Sequence, residues 1–179
     1  MSRRFLTAFA ALLTLAILSG CTSYRWGSGT ELRFESLYVK PADNESFAPQ
    51  AQAIVSAKIR EAFIRDGRVK IVSSEEQADA VLMVNLTHYK SKPSSRSSID
   101  TEMARTFFIT LTAVTSLYDN NNGSYHYQNR TSEASTNAYS DNPFNPAIPD
   151  SYQQAEYQAI PQLARNLARK IADETLSTW

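Results

Sequence analysis

Few side chains in this chain have chemistry to offer. There is one cysteine, Cys21, and two histidines, His88 and His126, among 18 basic and 18 acidic residues in 179. The histidines are far apart in sequence, so neither has a partner one helical turn away of the kind a zinc site uses. His88 falls in a strand pattern and reads as a structural histidine. Glu75 and Glu76 share a turn pattern with Asp79, where solvation or capping accounts for them better than acid–base work. No GxSxG elbow or phosphate-cradling loop occurs, and five glycines leave little room for one. An enzyme is the least favoured class.

Cys21 is the exception, because of where it stands. Arg3 and Arg4 form a cationic head, and Phe5 to Leu18 form an apolar run of about fourteen residues. At about 1.5 Å per residue the run spans roughly 21 Å, short of a hydrocarbon core of about 30 Å. It reads as an export signal, not a permanent membrane span. Leu18-Ser19-Gly20-Cys21 resembles the bacterial lipobox, with cleavage between Gly20 and Cys21. An exported lone cysteine would otherwise be an exposed reactive thiol. As a lipoprotein, Cys21 is expected to carry a covalent diacylglycerol and an N-acyl chain, and to need no other cofactor. Each buried methylene contributes about 0.8 kcal/mol, so three chains make attachment effectively permanent. Thr22 stands where an aspartate would signal inner-membrane retention, so the expected address is the outer membrane, facing the periplasm.

The composition bounds the rest. Loss of Arg3 and Arg4 with the signal leaves a slightly acidic chain, with no basic excess to speak for nucleic acid. With Cys21 lipidated there is no disulfide, so packing alone must hold the fold. The expected organisation is a signal peptide over 1–20, a lipidated tether over 21–30 and one domain over 31–179.

Within that domain, 31–40 predicts a strand, and Pro41 to Ser46 a turn offering Asn44 or Ser46 as a helix cap. Ala51, Val55, Ile59, Ala62 and Phe63 form an apolar stripe in a helix from about Phe47 to Asp66, closed by Gly67. A short strand over 68–73 and a turn over 74–80 lead to a long strand, Ala80–Tyr89, with one apolar face. KSKPSSRSSIDTE, residues 90–102, reads as a mobile polar loop. A strand resumes near Ala104, DNNNG marks a hairpin turn, and the second arm is polar on both faces. DNPFNPAIPD is irregular. Ser151 then opens a last helix with the stripe Ile160, Leu163, Ala164, Leu167 and Ile171, and Pro161 is a candidate kink. Two amphipathic helices and one sheet with an apolar face imply an α+β fold. It is a two-layer sandwich, both helices packed on one face of a four- to five-stranded mixed or antiparallel sheet.

Residues 38–90 resemble the lipopolysaccharide-assembly lipoproteins, the LptE-like family. The matching pieces are Asn44, Ser46 and Pro49, then Arg65 to Arg68 ("RDGR"), then Ala78 to Leu82 ("ADAVL"). The likeness extends more loosely through the hairpin and the last helix. It implies a non-enzymatic subunit that binds and stabilises an outer-membrane β-barrel of the LptD type and helps deliver lipopolysaccharide. The polar arm 124–140 fits a polar barrel lumen. Lipopolysaccharide carries phosphates, and Lys90, Lys92, Arg96 and Arg105 are the densest basic group near a strand end, so they are the candidate contacts.

The alternative is a periplasmic lipoprotein that activates a peptidoglycan synthase or serves related secretion machinery. Such an activator needs a long linker. Cys21 to Glu31 spans about 35 Å at most when extended, which holds the domain near its membrane.

Overall fold

The computed structural model describes residues 32–96, 104–140 and 151–177. The expectations for residues 1–30, for the end of the turn-rich segment beyond Arg96 and for residues 141–150 lie outside them. The first strand is β1, Ser36–Val39, with Leu37 and Val39 buried on one side and Tyr38 on the other. The chain then crosses Pro41 and Ala42 into β2, the two residues Asp43–Asn44.

The first helix, α1, covers Ala51–Asp66 and starts later than the sequence predicts. Neither Asn44 nor Ser46 caps it, because β2 pairs with a neighbouring strand and draws Asn44 into the sheet. Its N-cap is Gln50, which makes no side-chain capping bond. The predicted stripe is correct: Ala51, Val55, Ile59 and Phe63 are buried, and Ala62 packs on the core. Gly67 ends the helix at φ 77°, where a β-carbon would be strained, and its N–H donates to Phe63 O at 3.0 Å.

After β3, Lys70–Ile71, and a 3-10 turn at Glu75–Gln77, three long strands follow. They are β4, Ala80–Arg96, β5, Ala104–Asp119, and β6, Ser124–Tyr139. The sheet order is β3-β1-β4-β5-β6, with β2 also on β4. β1 and β2 run parallel to β4, while β4, β5 and β6 are antiparallel. The sheet is therefore mixed, as expected, with six strands of which two are only two residues long.

The expected mobile loop at 90–102 is corrected here: β4 continues as strand to Arg96, paired with β5 throughout. A polar segment stays extended because β5 takes up its hydrogen bonds, which needs no apolar face. Pro93 is tolerated because β1 ends opposite Leu82 and β2 opposite Leu86, leaving the rest of β4 as a sheet edge among the described residues.

The second helix, α2, covers Tyr152–Leu176 and runs unbroken through Pro161. Ser151 caps it as expected, its Oγ accepting from Gln154 N at 3.2 Å. Both helices lie on one face of the sheet. Leu37, Leu82, Leu86, Ile109 and Leu117 from the strands meet Val55, Ile59 and Phe63 of α1 and Leu163, Leu167 and Ile171 of α2. Burying each contributes about 2 kcal/mol, and this layer stands in for the missing disulfide. Arg68, just past α1, donates to Leu176 O at 3.4 Å and ties the two helix ends together.

Candidate functional site on the open face of the sheet

The helices cover one face of β4, β5 and β6, and among the described residues no element covers the other. On the covered side of β5 lie Ile109, Leu111, Ala113, Thr115 and Leu117, all buried. The alternate residues Phe108, Thr110, Thr112, Val114, Ser116 and Tyr118 turn the other way and are partly or largely exposed. Register sets Thr131, Glu133, Ser135, Asn137 and Tyr139 of β6 beside them. This face is rich in hydroxyl and amide groups, which bond laterally. Thr110 Oγ1 and Ser135 Oγ are 2.9 Å apart, Thr112 Oγ1 donates to Glu133 Oε2 at 3.4 Å, and Asn137 Nδ2 donates to Tyr139 Oη at 3.4 Å.

The expectation that β6 is polar on both faces is refined by its neighbours. Its helix side carries Ser132 and Ala138, both fully buried against α2, and Ser132 Oγ donates to Glu174 Oε2. Arg130 donates to Glu174 O at 2.7 Å, Asn166 to Ser135 O at 3.2 Å and Lys170 to Glu133 O at 3.2 Å. Asn166 and Lys170 of α2 thus occupy two carbonyls of β6, and Arg130 of β6 returns a bond to a carbonyl of α2.

A bulge at Thr87 resets the alternation of β4 between Leu86 and His88. Past it, Tyr89 turns to the helix side and donates to Glu156 Oε1 at 2.5 Å, and Tyr152 donates to the same oxygen at 2.9 Å. Burial, then the Glu156 carboxylate, pushes the Tyr89 hydroxyl well above the ordinary phenol range, so it stays a donor. With Tyr89 held, Lys90 and Lys92 share the open face, about 7 Å apart along the strand. They line a shallow cavity of about 220 Å³ with Phe108, Thr110 and Glu133. Arg96 ends β4, pairing in the backbone with Ala104, and Arg105 follows in β5.

Lys90 and Lys92 are therefore brought together, on a strand and not on a loop, while the side chains of Arg96 and Arg105 lie outside the described residues. Sequence reasoning missed Phe108, Thr110 and Glu133 as neighbours of the two lysines. The signal was an alternation that continues past Tyr89.

The histidines do not join this cavity. His88 is exposed, with Nδ1 3.1 Å from Thr87 Oγ1. His126 lies elsewhere, with Nε2 3.5 Å from Asp119 Oδ2 and both side chains nearly buried. Among the described residues, no three His, Cys, Asp or Glu side chains gather as a metal site would need, and no helix is long and apolar enough to cross a membrane. A second groove, of about 300 Å³ between α1 and α2, is lined by charges that largely answer one another, with Glu61 bonded to Lys58 and Arg65.

The family model for lipopolysaccharide-assembly proteins, LptE, matches residues 34–175, from just before β1 to the last turn of α2. The chain belongs to the LptE family. Membership makes this LptE-family chain a cell-envelope protein of lipopolysaccharide assembly. Solved structures share its fold at low identity. A Xanthomonas campestris protein is 14% identical, with a TM-score of 0.54 over 82% of this chain and 86% of its own. A hypothetical protein from Chlamydia trachomatis is 12% identical, with a TM-score of 0.53 over 80% and 96%. A minor lipoprotein from Acinetobacter baumannii is 14% identical, with a TM-score of 0.51 over 81% and 92%. At such identities the likeness is one of fold alone. No curated protein sequence matches significantly.

Proposed function

We propose that this LptE-family chain is a non-enzymatic subunit held by lipid on Cys21 to the periplasmic face of the outer membrane. There it seats against an LptD-type β-barrel and assists lipopolysaccharide delivery. The observation that carries the reading is the uncovered, hydroxyl- and amide-rich face of β4, β5 and β6, three strands of 17, 16 and 16 residues. The inner wall of a large barrel is polar and hydrogen-bonding, and this face carries the side chains to meet it. Lys90 and Lys92, beside the 46%-exposed ring of Phe108, offer cations next to an apolar surface. That is the pairing a phosphorylated lipid head presents in reverse. Arg96 and Arg105, whose side chains lie outside the described residues, are proposed as two further cations for the same head group. The synthase-activator reading has no comparable support.

Affinity purification of the full, lipidated chain from detergent-solubilised envelopes tests the reading. A large β-barrel should co-purify in stoichiometric amount, and mass spectrometry should find residue 21 acylated. Recovery of a peptidoglycan synthase in place of the barrel, or an unmodified Cys21 on a soluble product, would overturn it.

A further inference from the structure

Between β2 and α1 the chain holds a phenylalanine almost wholly in water. Phe47 is 93% exposed, the most exposed large apolar side chain among the described residues. Its backbone sits at φ 61°, in the left-handed region that bulky side chains rarely enter. Both neighbours point inward: Ser46 is 8% exposed and Ala48 is 2% exposed. The chain thus tucks in, turns out for one residue, and tucks in again.

The turn is built, not slack. Asn44 Oδ1 accepts from Ser46 N at 3.1 Å and from Ser46 Oγ at 2.7 Å. Ser46 Oγ in turn accepts from Ala48 N at 3.3 Å, and Asn44 Nδ2 donates to Ala48 O at 3.1 Å. Glu45 N donates to Leu86 O at 2.8 Å, which fastens the turn to β4. The two polar residues that do not cap α1 instead clamp the loop around Phe47. A strained conformation over-determined by its surroundings, displaying an apolar group, calls for a use.

The geometry points to Phe47 as an aromatic anchor that enters an apolar pocket, rimmed by Lys or Arg, on the barrel partner. This rests on the barrel reading above and deepens it by naming a contact. The rim charge follows from the residues that lead into the turn. Asp43 and Glu45, both exposed, stand four and two residues before Phe47, neither forms an ion pair with another described residue, and residues 41–50 contain no Lys or Arg. Aromatic side chains that enter a bilayer sit among cations that meet its anionic surface. A ring led into by two unpaired acids is repelled there, and matches a basic rim on a protein. A rigid, preformed aromatic loses little freedom on docking, as binding hot spots do.

Opposite effects on folding and binding make the test. Phe47→Gly and Phe47→Asn both accept a positive φ, so each should melt no lower than the parent. Each should retain about ten-fold less barrel in co-purification, while Phe47→Tyr keeps most of it. A photo-crosslinking phenylalanine at position 47 of the full lipidated chain should attach to the barrel in cells, and one at exposed Tyr157 should not. If the parent captures barrel and both variants capture as much, the anchor is refuted and the barrel reading stands. If the parent captures none, the barrel reading falls and the anchor falls with it. Crosslinks to lipid alone, or lowered melting of both variants, would also refute the anchor.

Discussion

Asp79 and Ser36 hold each other at the start of the sheet. Asp79 Oδ2 accepts from Ser36 Oγ at 2.7 Å and from Ser36 N at 2.9 Å, and Ser36 Oγ accepts from Asp79 N at 2.9 Å. The same carboxylate accepts from Glu35 N at 3.1 Å and, through Oδ1, from Asn121 Nδ2 at 3.2 Å. One side chain therefore joins β1, the entry to β4 and the turn between β5 and β6.

These bonds have a measurable consequence. The Ser36 hydroxyl first, then its N–H and Asn121, hold the Asp79 carboxyl at about 2, against an ordinary 3.8. A depressed carboxylate stabilises the fold above its unfolded value, and that contribution is lost as pH falls from about 4 towards 2. Asp79→Ala should cost about 2 kcal/mol at neutral pH, lowering Tm by about 5 °C for a domain of this size. Asp79→Asn should flatten the acid limb between pH 4 and 2. A Tm unchanged in Asp79→Ala would show the junction to be held by packing alone.

Asp79 also marks where sequence reading reaches its limit. In the chain it stands next to Glu75 and Glu76 in an acidic turn, and nothing local separates it from them. Its partner is 43 positions away, so only the parallel pairing of β1 with β4 gives it a role. The opposite holds for α1, where the apolar stripe and Gly67 are local signals and the structure keeps both. The same holds for Ser151, and for the apolar face of Ala80, Leu82, Val84 and Leu86.

The two misread segments share a physical cause. Asn44 and Ser46 have the chemistry of helix caps, but pairing of Asp43 and Asn44 with Asn85 and Leu86 keeps Asn44 in the sheet and turns Ser46 to the loop that follows. Lys90 to Arg96 have the composition of a loop, but β5 beside them satisfies the ladder. In both, a neighbouring strand outweighs local propensity, as β structure allows more readily than helix.

His126 supplies a second pH dependence, in a different window. Its ring lies 5.8 Å from that of Phe34 and 3.5 Å from Asp119. Burial lowers its pKa below 6.5, the charge of Asp119 opposes that shift, and Arg33 adds to it. Burial alone would raise Asp119, but hydrogen bonds from Asn122 and Asn121 outweigh it and leave the carboxyl below its ordinary value. The folded protein thus keeps His126 neutral where the unfolded chain takes a proton. Stability therefore falls as pH drops through 6.5 towards the lower folded value. Thermal melts should show a lower Tm at pH 5 than at pH 7.5, and His126→Gln should remove most of that slope. A slope retained by the variant would place its origin elsewhere.

Lys90 and Lys92 invite the last prediction, because an edge strand gives them a second purpose. Past Leu86, β4 has a neighbour on one side only among the described residues, and lysine and proline on such an edge discourage pairing with another chain. Binding and edge protection separate on the sign of the charge. Reversal to Glu at Lys90, Lys92, Arg96 and Arg105 keeps the edge charged, so the protein should keep the oligomeric state of the parent. Binding of purified lipopolysaccharide should then fall by about ten-fold or more, since charge-assisted bonds to phosphate are lost and repulsion replaces them. Reversal of Lys90 and Lys92 alone should account for much of the loss, since these two share the cavity with Phe108. Phe108→Ser should weaken binding without changing the salt dependence, whereas the lysine reversals should change it. Unchanged affinity in the fourfold variant would leave the lysines as guardians of the strand edge and remove this face from lipid recognition.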